Sequence, residues 1–243
     1  MNTTWRNRPS RRSEVSKNTQ ATEAQFPVLT KHNKDLTLML KNRPFLSLSI
    51  ISLVCLLAHS NVLAQQPKVM QPGIPFHGIR DYREVMPGAL YRGGANNGKA
   101  PLKPEQLNAL CEEGFGTAVY LYSTGFQGPT TIHCSKGSLD YIFEGWEGKG
   151  RAAVDQQIYD AIKNKSKPVF IHCWNGIHAT GAVAATALMQ FCDLSPQKAV
   201  EYWKVGVAPR VQYPSVIRNI ESFQPNPKLQ LTPEERNQYC PQF

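Results

Sequence analysis

Apolar runs and helical periodicities alternate between residues 76 and 223. β-Branched, aromatic or apolar runs predict strands at residues 117–122, 140–143 and 168–171, the last a central strand covered on both faces. Residues 76–85 are expected to form an extended entry strand. The apolar positions with helical spacing are Leu107, Leu110 and Cys111 (helix 104–113), Val154, Ile158 and Ile162, then Val183, Ala184, Ala187, Leu188 and Phe191 (helix from near Thr180), and Ala199, Val200 and Trp203. This alternation predicts an α/β fold: a mainly parallel central sheet flanked by helices on both faces.

Both ends of the chain differ from this middle part. The apolar run 45–58 follows Lys41 and Arg43, precedes a small-residue site ending at Ala64, and is shorter than the ~20 residues of a membrane span. We predict a mis-assigned or disordered extension (1–38), a signal peptide (39–64), a linker (65–75), the folded domain (76–223) and a C-terminal tail (224–243) with a short helix at 233–239. The protein is therefore expected to be exported, periplasmic or secreted. The alternative is that the signal segment stays uncleaved as a membrane anchor. That anchor would be the only predicted contact of the protein with a membrane.

The net charge of +9 at pH 7 belongs mostly to the leader. Residues 1–64 hold nine Lys or Arg and three Asp or Glu, which leaves a net charge of +3 for residues 65–243. This small excess gives no reason to expect a nucleic-acid partner. Oligomeric state is left open.

Cleavage after Ala64 would leave an odd number of cysteines. They are Cys111, Cys134, Cys173, Cys192 and Cys240. In an oxidising compartment this permits two disulfides and one free thiol, with Cys173 the natural free one. Cys111 and Cys134 are a plausible pair, and the sequence leaves the connectivity open.

The candidate chemistry lies between the strand at 168–171 and the helix that follows it. A tight loop there brings backbone amides and a helix N-terminus towards one point, which attracts a tetrahedral anion. Cys173 opens this loop, so the same field would stabilise its thiolate as a nucleophile.

This segment resembles the signature loop of the cysteine-dependent protein tyrosine and dual-specificity phosphatases. Their pattern is His-Cys, five residues, Arg, then Ser or Thr and usually Gly. The positions that match are His172, Cys173, Gly176, Thr180 and Gly181. A turn at residues 86–88, a short strand at 89–92 and Gly93-Gly94 are also similar to the opening of many atypical dual-specificity phosphatase domains. This extends the resemblance over residues 76–207.

The resemblance implies a dual-specificity-phosphatase-like fold, a phosphorylated or anionic ligand, and no cofactor or metal. Cys173 would attack phosphorus to form a cysteinyl phosphate. Thr180 would hydrogen-bond the thiolate, and His172 would order the surroundings of the loop and tune the thiol. The implied anion-binding loop consists of Trp174, Asn175, Gly176, Ile177, His178 and Ala179.

Ala179 stands where the family has its arginine. Losing one charged transition-state clamp costs at least ~3 kcal/mol, or ~100-fold in rate. Replacement by His178, or by Arg92, Arg151 or Arg210 from elsewhere, is left open. The sequence thus predicts an exported phosphatase-like protein with impaired hydrolysis; the alternative is a pseudophosphatase that binds an anion without turnover.

The general acid is expected on the loop after the strand at 140–143. The family uses Asp there, whereas this loop offers only Glu144 and Glu147, of which Glu147 is slightly favoured. Asp140, at the start of the strand, is predicted to be structural.

A metal site is a separate alternative. Its candidate ligands are His133, Cys134, His172, Cys173 and His178. Their spacing matches no zinc pattern.

Overall fold

The structure, a computed structural model, describes residues 71–95, 99–207 and 213–243. The predicted extension, the signal peptide and residues 65–70 of the linker lie outside the described residues, as does Arg210. Within these described ranges, no helix combines the length and the apolar character needed to cross a bilayer.

The described residues form seven strands and six α-helices. The strands are β1 (Ile74–Phe76), β2 (Ile79–Met86), β3 (Leu90–Gly94), β4 (Thr117–Tyr120), β5 (Thr130–Cys134), β6 (Gly137–Phe143) and β7 (Val169–Cys173). The helices are α1 (Pro104–Glu112), α2 (Gly148–Lys163), α3 (His178–Cys192), α4 (Pro196–Lys204), α5 (Pro214–Glu221) and α6 (Pro233–Tyr239), with a 3₁₀ turn at Pro227–Leu229.

The strands form one mixed sheet in the order β1-β2-β3-β7-β4-β6-β5. The four central strands are mutually parallel, whereas the β1/β2, β2/β3 and β5/β6 pairs are antiparallel. The prediction of a mainly parallel sheet is therefore wrong. The antiparallel pairs arise locally, because short turns join their strands and a short turn can join only antiparallel strands.

Two of the antiparallel pairs, β1/β2 and β5/β6, contain features that the sequence pattern did not predict. The predicted extended segment at 76–85 is split because His77 and Gly78 adopt positive φ (44° and 77°), which reverses the chain between β1 and β2. Strand β5 was not predicted, because its alternate side chains are exposed and no apolar run marks it.

Helices cover both faces of the sheet, as predicted. Along β7, Phe170 belongs to the core beneath α1, while Val169, Ile171 and Cys173 belong to the core that includes α2, α3 and α4. This alternation follows from the two-residue period of a strand. The two cores together explain why every residue of β7 is buried.

Helix α3 is the central helix of the larger layer and is buried from Ala179 to Phe191. Its many Ala and Gly residues let strands and helices approach on all sides, and a helix that is apolar all round is a buried one. Near its C-terminus, the side-chain amide of Gln190 donates to the carbonyls of Asn226 and Leu229 (3.0 and 3.2 Å) and accepts from the Asn226 amide (2.6 Å).

The C-terminal segment 224–243 packs on the domain. Leu229 and Leu231 are buried, and the predicted helix at 233–239 is α6, whose Thr232 and Glu235 form a capping box. Helix α5 was not predicted; only Val216 and Ile220 are buried along it, too few to reveal a period.

The cysteines are paired as the count predicted. Disulfides join Cys111 to Cys134 and Cys192 to Cys240, and Cys173 is the free thiol. The first pair fastens α1 to the β5/β6 hairpin, and the second fastens the C-terminal segment to the end of α3.

Removing either disulfide should lower the free energy of unfolding by roughly 3–4 kcal/mol, because the bridges close loops with sequence separations of 23 and 48 residues. Urea denaturation of Cys111→Ala/Cys134→Ala and Cys192→Ala/Cys240→Ala, beside the oxidised parent, measures this. Unchanged midpoints in both double variants would contradict the disulfide assignment.

Candidate anion-binding loop

Cys173 is the last residue of β7, and Thr180 lies in the first turn of α3. The Cys173 Sγ atom is 3.5 Å from the Thr180 Oγ1 atom, and both side chains are buried. The Thr180 hydroxyl is thus in position to donate to a Cys173 thiolate. The structure brings together the two residues that the family resemblance pairs.

The N-terminus of α3 faces the loop without a side-chain cap. The helix begins at His178, two residues earlier than predicted, and its N-cap residue Ile177 makes no capping hydrogen bond. The first N–H groups of a helix have no intrahelical acceptor and carry its positive dipole end. This end of α3 is therefore suited to hold an anion beside Cys173.

The loop passes so close to β3 that two glycines are required. A Cβ atom on Gly94 would lie 2.3 Å from the carbonyl carbon of Asn175, and one on Gly176 would lie 2.7 Å from the Gly94 nitrogen. Gly176 also has φ +74°, which favours glycine. The Ala95 amide donates to the Cys173 carbonyl (2.9 Å), so β3 holds the base of the loop as well.

Arg92 is fully buried behind the loop. Its Nη2 atom donates to the Gly176 carbonyl (2.8 Å) and its Nη1 atom to the Tyr202 hydroxyl (3.1 Å). Because a peptide unit is planar and trans, a Gly176 carbonyl that points at Arg92 turns the Ile177 N–H away from it. Arg92 therefore orients a loop amide and does not stand on the ligand side.

A small ion network surrounds Arg92. Asp81 Oδ2 lies 2.7 Å from Arg83 Nη2 and 3.6 Å from Arg92 Nη2. Arg83 is also buried, and burial, followed by the charge of Arg92, lowers its pKa. Two guanidinium groups share one carboxylate, so this layer beneath the loop keeps a net positive charge.

The other predicted replacements for the missing arginine are engaged elsewhere. His178 packs on the Tyr213 ring (centroids 4.2 Å apart), and burial lowers its pKa, so less of it is protonated at neutral pH. Arg151 pairs with Asp155 and donates to Thr186 Oγ1 (2.7 Å), almost two helical turns along α3 from Thr180. Of the arginine candidates within the described residues, Arg92 is the one that contacts the loop.

His172 is a neutral, buried side chain on the opposite face of β7 from Cys173. Burial lowers its pKa from 6.5 to about 3. Its ring stacks on Tyr120 (4.7 Å), and its Nε2 atom lies 2.9 Å from the Tyr141 hydroxyl. The Tyr141 oxygen accepts from the Leu102 amide (3.0 Å), so the Tyr141 hydroxyl proton is free to be donated to His172 Nε2. With Nε2 as the acceptor, the ring proton is on Nδ1, which faces the Cys173 carbonyl (3.4 Å).

Aromatic side chains wall the loop on the side of β4. Trp174 stacks on Tyr122 (4.4 Å) and donates from Nε1 to the Tyr120 hydroxyl (2.9 Å), while Lys99 Nζ lies 5.0 Å from the Trp174 ring. Burial, with smaller contributions from Cys173, Tyr120 and Glu147, raises the pKa of Tyr122 to about 12.

Sequence reasoning missed Tyr122 as a site residue. It lies two residues after the end of β4, which is parallel to β7, and the C-terminal ends of parallel strands share one edge of a sheet. That placement is the signal that could have identified it.

The three acidic residues considered as general acid or structural residue make different contacts. Asp140 accepts from Thr131 Oγ1 (2.8 Å) across β5 and β6, in keeping with the predicted structural role. Glu147 is exposed just before α2, and its Oε1 atom accepts from Asn219 Nδ2 of α5 (2.6 Å). The Glu144 amide donates to the Tyr120 carbonyl (3.1 Å), which fixes the start of the same loop. Glu147 therefore stays the acid predicted from the sequence, and the contact that the structure gives its carboxylate is with Asn219.

One of the ligands predicted for the alternative metal site is not available. Cys134 is bonded to Cys111, so it offers no thiolate. In the part of the chain that the structure describes, no group of three or more His, Cys, Asp or Glu side chains is arranged to hold a metal ion.

Neither a family model nor a curated protein sequence matches the chain. A DUF442 protein from Shewanella putrefaciens CN-32 has 16% sequence identity over 59% of this chain and 92% of its own, with a TM-score of 0.39. Human DUSP28 has 17% identity (62% and 94% covered, TM-score 0.39), and the Cydia pomonella PTP-2 phosphatase 13% (60% and 88%, 0.39). Such structural neighbours have dual-specificity and protein tyrosine phosphatase-like folds. At these identities and scores, function must rest on this chain's own geometry.

The buried His172 predicts a stability loss in mild acid. Its pKa is about 3 in the folded state and near 6.5 when unfolded, so the unfolded chain binds the extra proton between pH 6.5 and 3, and stability falls as pH falls through that window. Between pH 7 and pH 5 this contributes about 2 kcal/mol of lost unfolding free energy. Urea denaturation at both pH values should find this loss reduced in His172→Gln; an identical pH dependence in the two proteins argues against a neutral buried imidazole.

Proposed function

We propose that the loop Cys173–Thr180 binds a phosphate monoester at the N-terminus of α3 and that Cys173 hydrolyses it slowly. The observation that carries this proposal is the Cys173 thiol, 3.5 Å from the Thr180 hydroxyl at an uncapped helix N-terminus. The thiolate is the nucleophilic form of a cysteine side chain, and the Thr180 hydroxyl stands where it can donate a hydrogen bond to one. The tyrosine phosphatase-like folds of the structural neighbours are in keeping with this chemistry.

The proposed reaction has two steps. The Cys173 sulfur forms a bond to phosphorus as the bond to the leaving oxygen breaks, and Glu147 gives that oxygen its proton. A water molecule then attacks the cysteinyl phosphate and gives a proton to Glu147, and the released thiolate accepts the Thr180 hydrogen bond. Asn219 holds the Glu147 carboxylate at 2.6 Å and would have to follow its motion or release it.

The missing arginine sets the expected rate. A guanidinium fork binds two equatorial oxygens of the transferring phosphoryl group, and Ala179 supplies neither donor nor charge. Arg92 supports the loop from behind through Gly176, so it can strengthen anion binding without following the transition state. We therefore expect hydrolysis at least ~100-fold below that of a loop with its arginine.

Binding without turnover is the second candidate, and the buried Ala179 favours it. Its methyl group lies in the core with Cys173 and Val183, and it offers nothing to a ligand. The loop amides and the helix N-terminus can still hold an anion.

We also propose that the domain acts after export. The two disulfides support this, because such bridges persist in oxidising compartments. The signal segment would be the only membrane contact, and only if it stays uncleaved. The proposed ligand is a phosphorylated or anionic molecule, and the charge of the domain gives no reason to add nucleic acid.

Hydrolysis of an aryl phosphate by residues 65–243 separates the two candidates. Slow wild-type turnover that is lost in Cys173→Ser supports the enzyme. No wild-type turnover, with activity in Ala179→Arg, supports the binding protein. Ala179→Met, which has similar length and no charge, controls for crowding at this buried position. Inactivity in both wild type and Ala179→Arg, with folding verified by circular dichroism, would refute the Cys173 mechanism.

Arg92→Lys should weaken orthophosphate binding about tenfold, because a lysine cannot contact both Gly176 and Tyr202 and the loop amide loses its orientation. Tyr202→Phe removes the other partner of Arg92 and leaves the Gly176 contact, so it should bind orthophosphate almost normally. Titration calorimetry on both variants in the Cys173→Ser background measures this. Equal losses in the two would mean that Arg92 acts only through general stability.

A further inference from the structure

A cleft beside the loop is not used by the proposed reaction. It has a volume of 490 Å³, and its walls include Gly73, Pro75 and Arg80 on one side and the loop residues Asn175 and Ile177 on the other. Arg80 pairs in the β2/β3 ladder with Gly94, the residue that touches the loop backbone, so its position beside the loop is fixed. The cleft is therefore bordered by the loop itself, at Asn175 and Ile177.

Arg80 presents a charge in this cleft that no carboxylate among the described residues neutralises. Its side chain is exposed, and its Nη1 atom makes a long hydrogen bond (3.4 Å) to Asn175 Oδ1; among the described residues it forms no ion pair. Asp81 is the acidic residue of the cleft wall, and its carboxylate is occupied by Arg83, by Arg92 and by the Gly73 amide (3.0 Å). The acid that follows along β2, Glu84, accepts from Tyr91 (2.8 Å).

The electrostatics favour a second anion. Arg80 and Asp81 line the cleft, and the buried Arg83 and Arg92 lie against Asp81, so the positive charges in and behind this wall outnumber the negative one. Asn175 is only two residues after Cys173, which limits its Cα atom to about 7 Å from that of Cys173. A ligand group held by Arg80 would thus belong to the same small molecule as the phosphate at Cys173.

We infer that this cleft is a second anion subsite, and that the preferred ligand is a small molecule with a further phosphate or carboxylate beside the phosphate bound at Cys173. The inference rests on the proposed function, since it needs the loop to bind the first phosphate. The exposed guanidinium of Arg80 makes the contact, and Asn175, which now accepts from it, releases it or shares it.

The test is calorimetric titration of residues 65–243 carrying Cys173→Ser with orthophosphate and with tripolyphosphate at constant ionic strength. Tripolyphosphate should bind about tenfold more tightly than orthophosphate. Arg80→Met should remove this advantage and leave orthophosphate affinity unchanged, and Arg80→Lys should restore most of it. Lys228→Met, which removes the same charge from an exposed position in the C-terminal segment, is the matched control.

The outcomes separate the two proposals. If orthophosphate does not bind, the proposed function fails and the subsite with it. If orthophosphate binds and Arg80→Met leaves the tripolyphosphate advantage intact, only the subsite is overturned. Equal losses for both ligands would place Arg80 in the first site and overturn the subsite. Arg80-dependent binding of an acidic phosphopeptide, without any tripolyphosphate advantage, would overturn the assignment to a small molecule.

Discussion

The close backbone contact between β3 and the loop after β7 determines the arrangement of the rest of the site. Gly94 and Gly176 leave no Cβ atoms between the two chains, so the loop can lie directly against the end of β3. In that position, Arg92, two residues earlier on β3, reaches under the loop to the Gly176 carbonyl. A fully buried guanidinium needs partners, and Asp81 and Tyr202 provide the others. One contact between backbones thereby connects β2, β3, the loop and α4.

The position of the buried guanidinium groups explains why anion binding need not bring fast hydrolysis in this fold. A signature arginine lies on the ligand side and tightens as charge spreads over the phosphoryl oxygens, so it contributes more to the transition state than to the ground state. Arg83 and Arg92 lie behind the loop backbone and attract any anion in it, whatever its geometry. Such uniform attraction raises affinity and leaves the barrier of the chemical step almost unchanged. We therefore expect the Ala179 loop to hold an anion better than it transforms one.

The local features of the site were predictable from the sequence, and the long-range ones were not. The apolar run before Cys173 and the small-residue helix after it predicted the strand, the loop and α3, because each is encoded within a few residues. The mixed sheet was not predicted, since a turn at His77 and Gly78 reverses a segment whose composition favours a single strand. Arg92 was only one of several candidates. Its partner Tyr202 is 110 residues away, and no local pattern reveals such a contact.

The disulfides and the site lie at opposite edges of the sheet, and this separation has a physical reason. Cys134 pairs with Gly137 at the start of β6, and Cys192 ends α3, about 22 Å along the helix from the loop. The loop edge contains the costly features: an uncapped helix N-terminus and buried guanidinium nitrogens, the Nε atoms of Arg83 and Arg92, that have no hydrogen-bond partner. Each such unsatisfied group costs about 1–3 kcal/mol. Crosslinks at the far edge add stability without touching the loop, so the helix N–H groups there stay open for the anion that we propose.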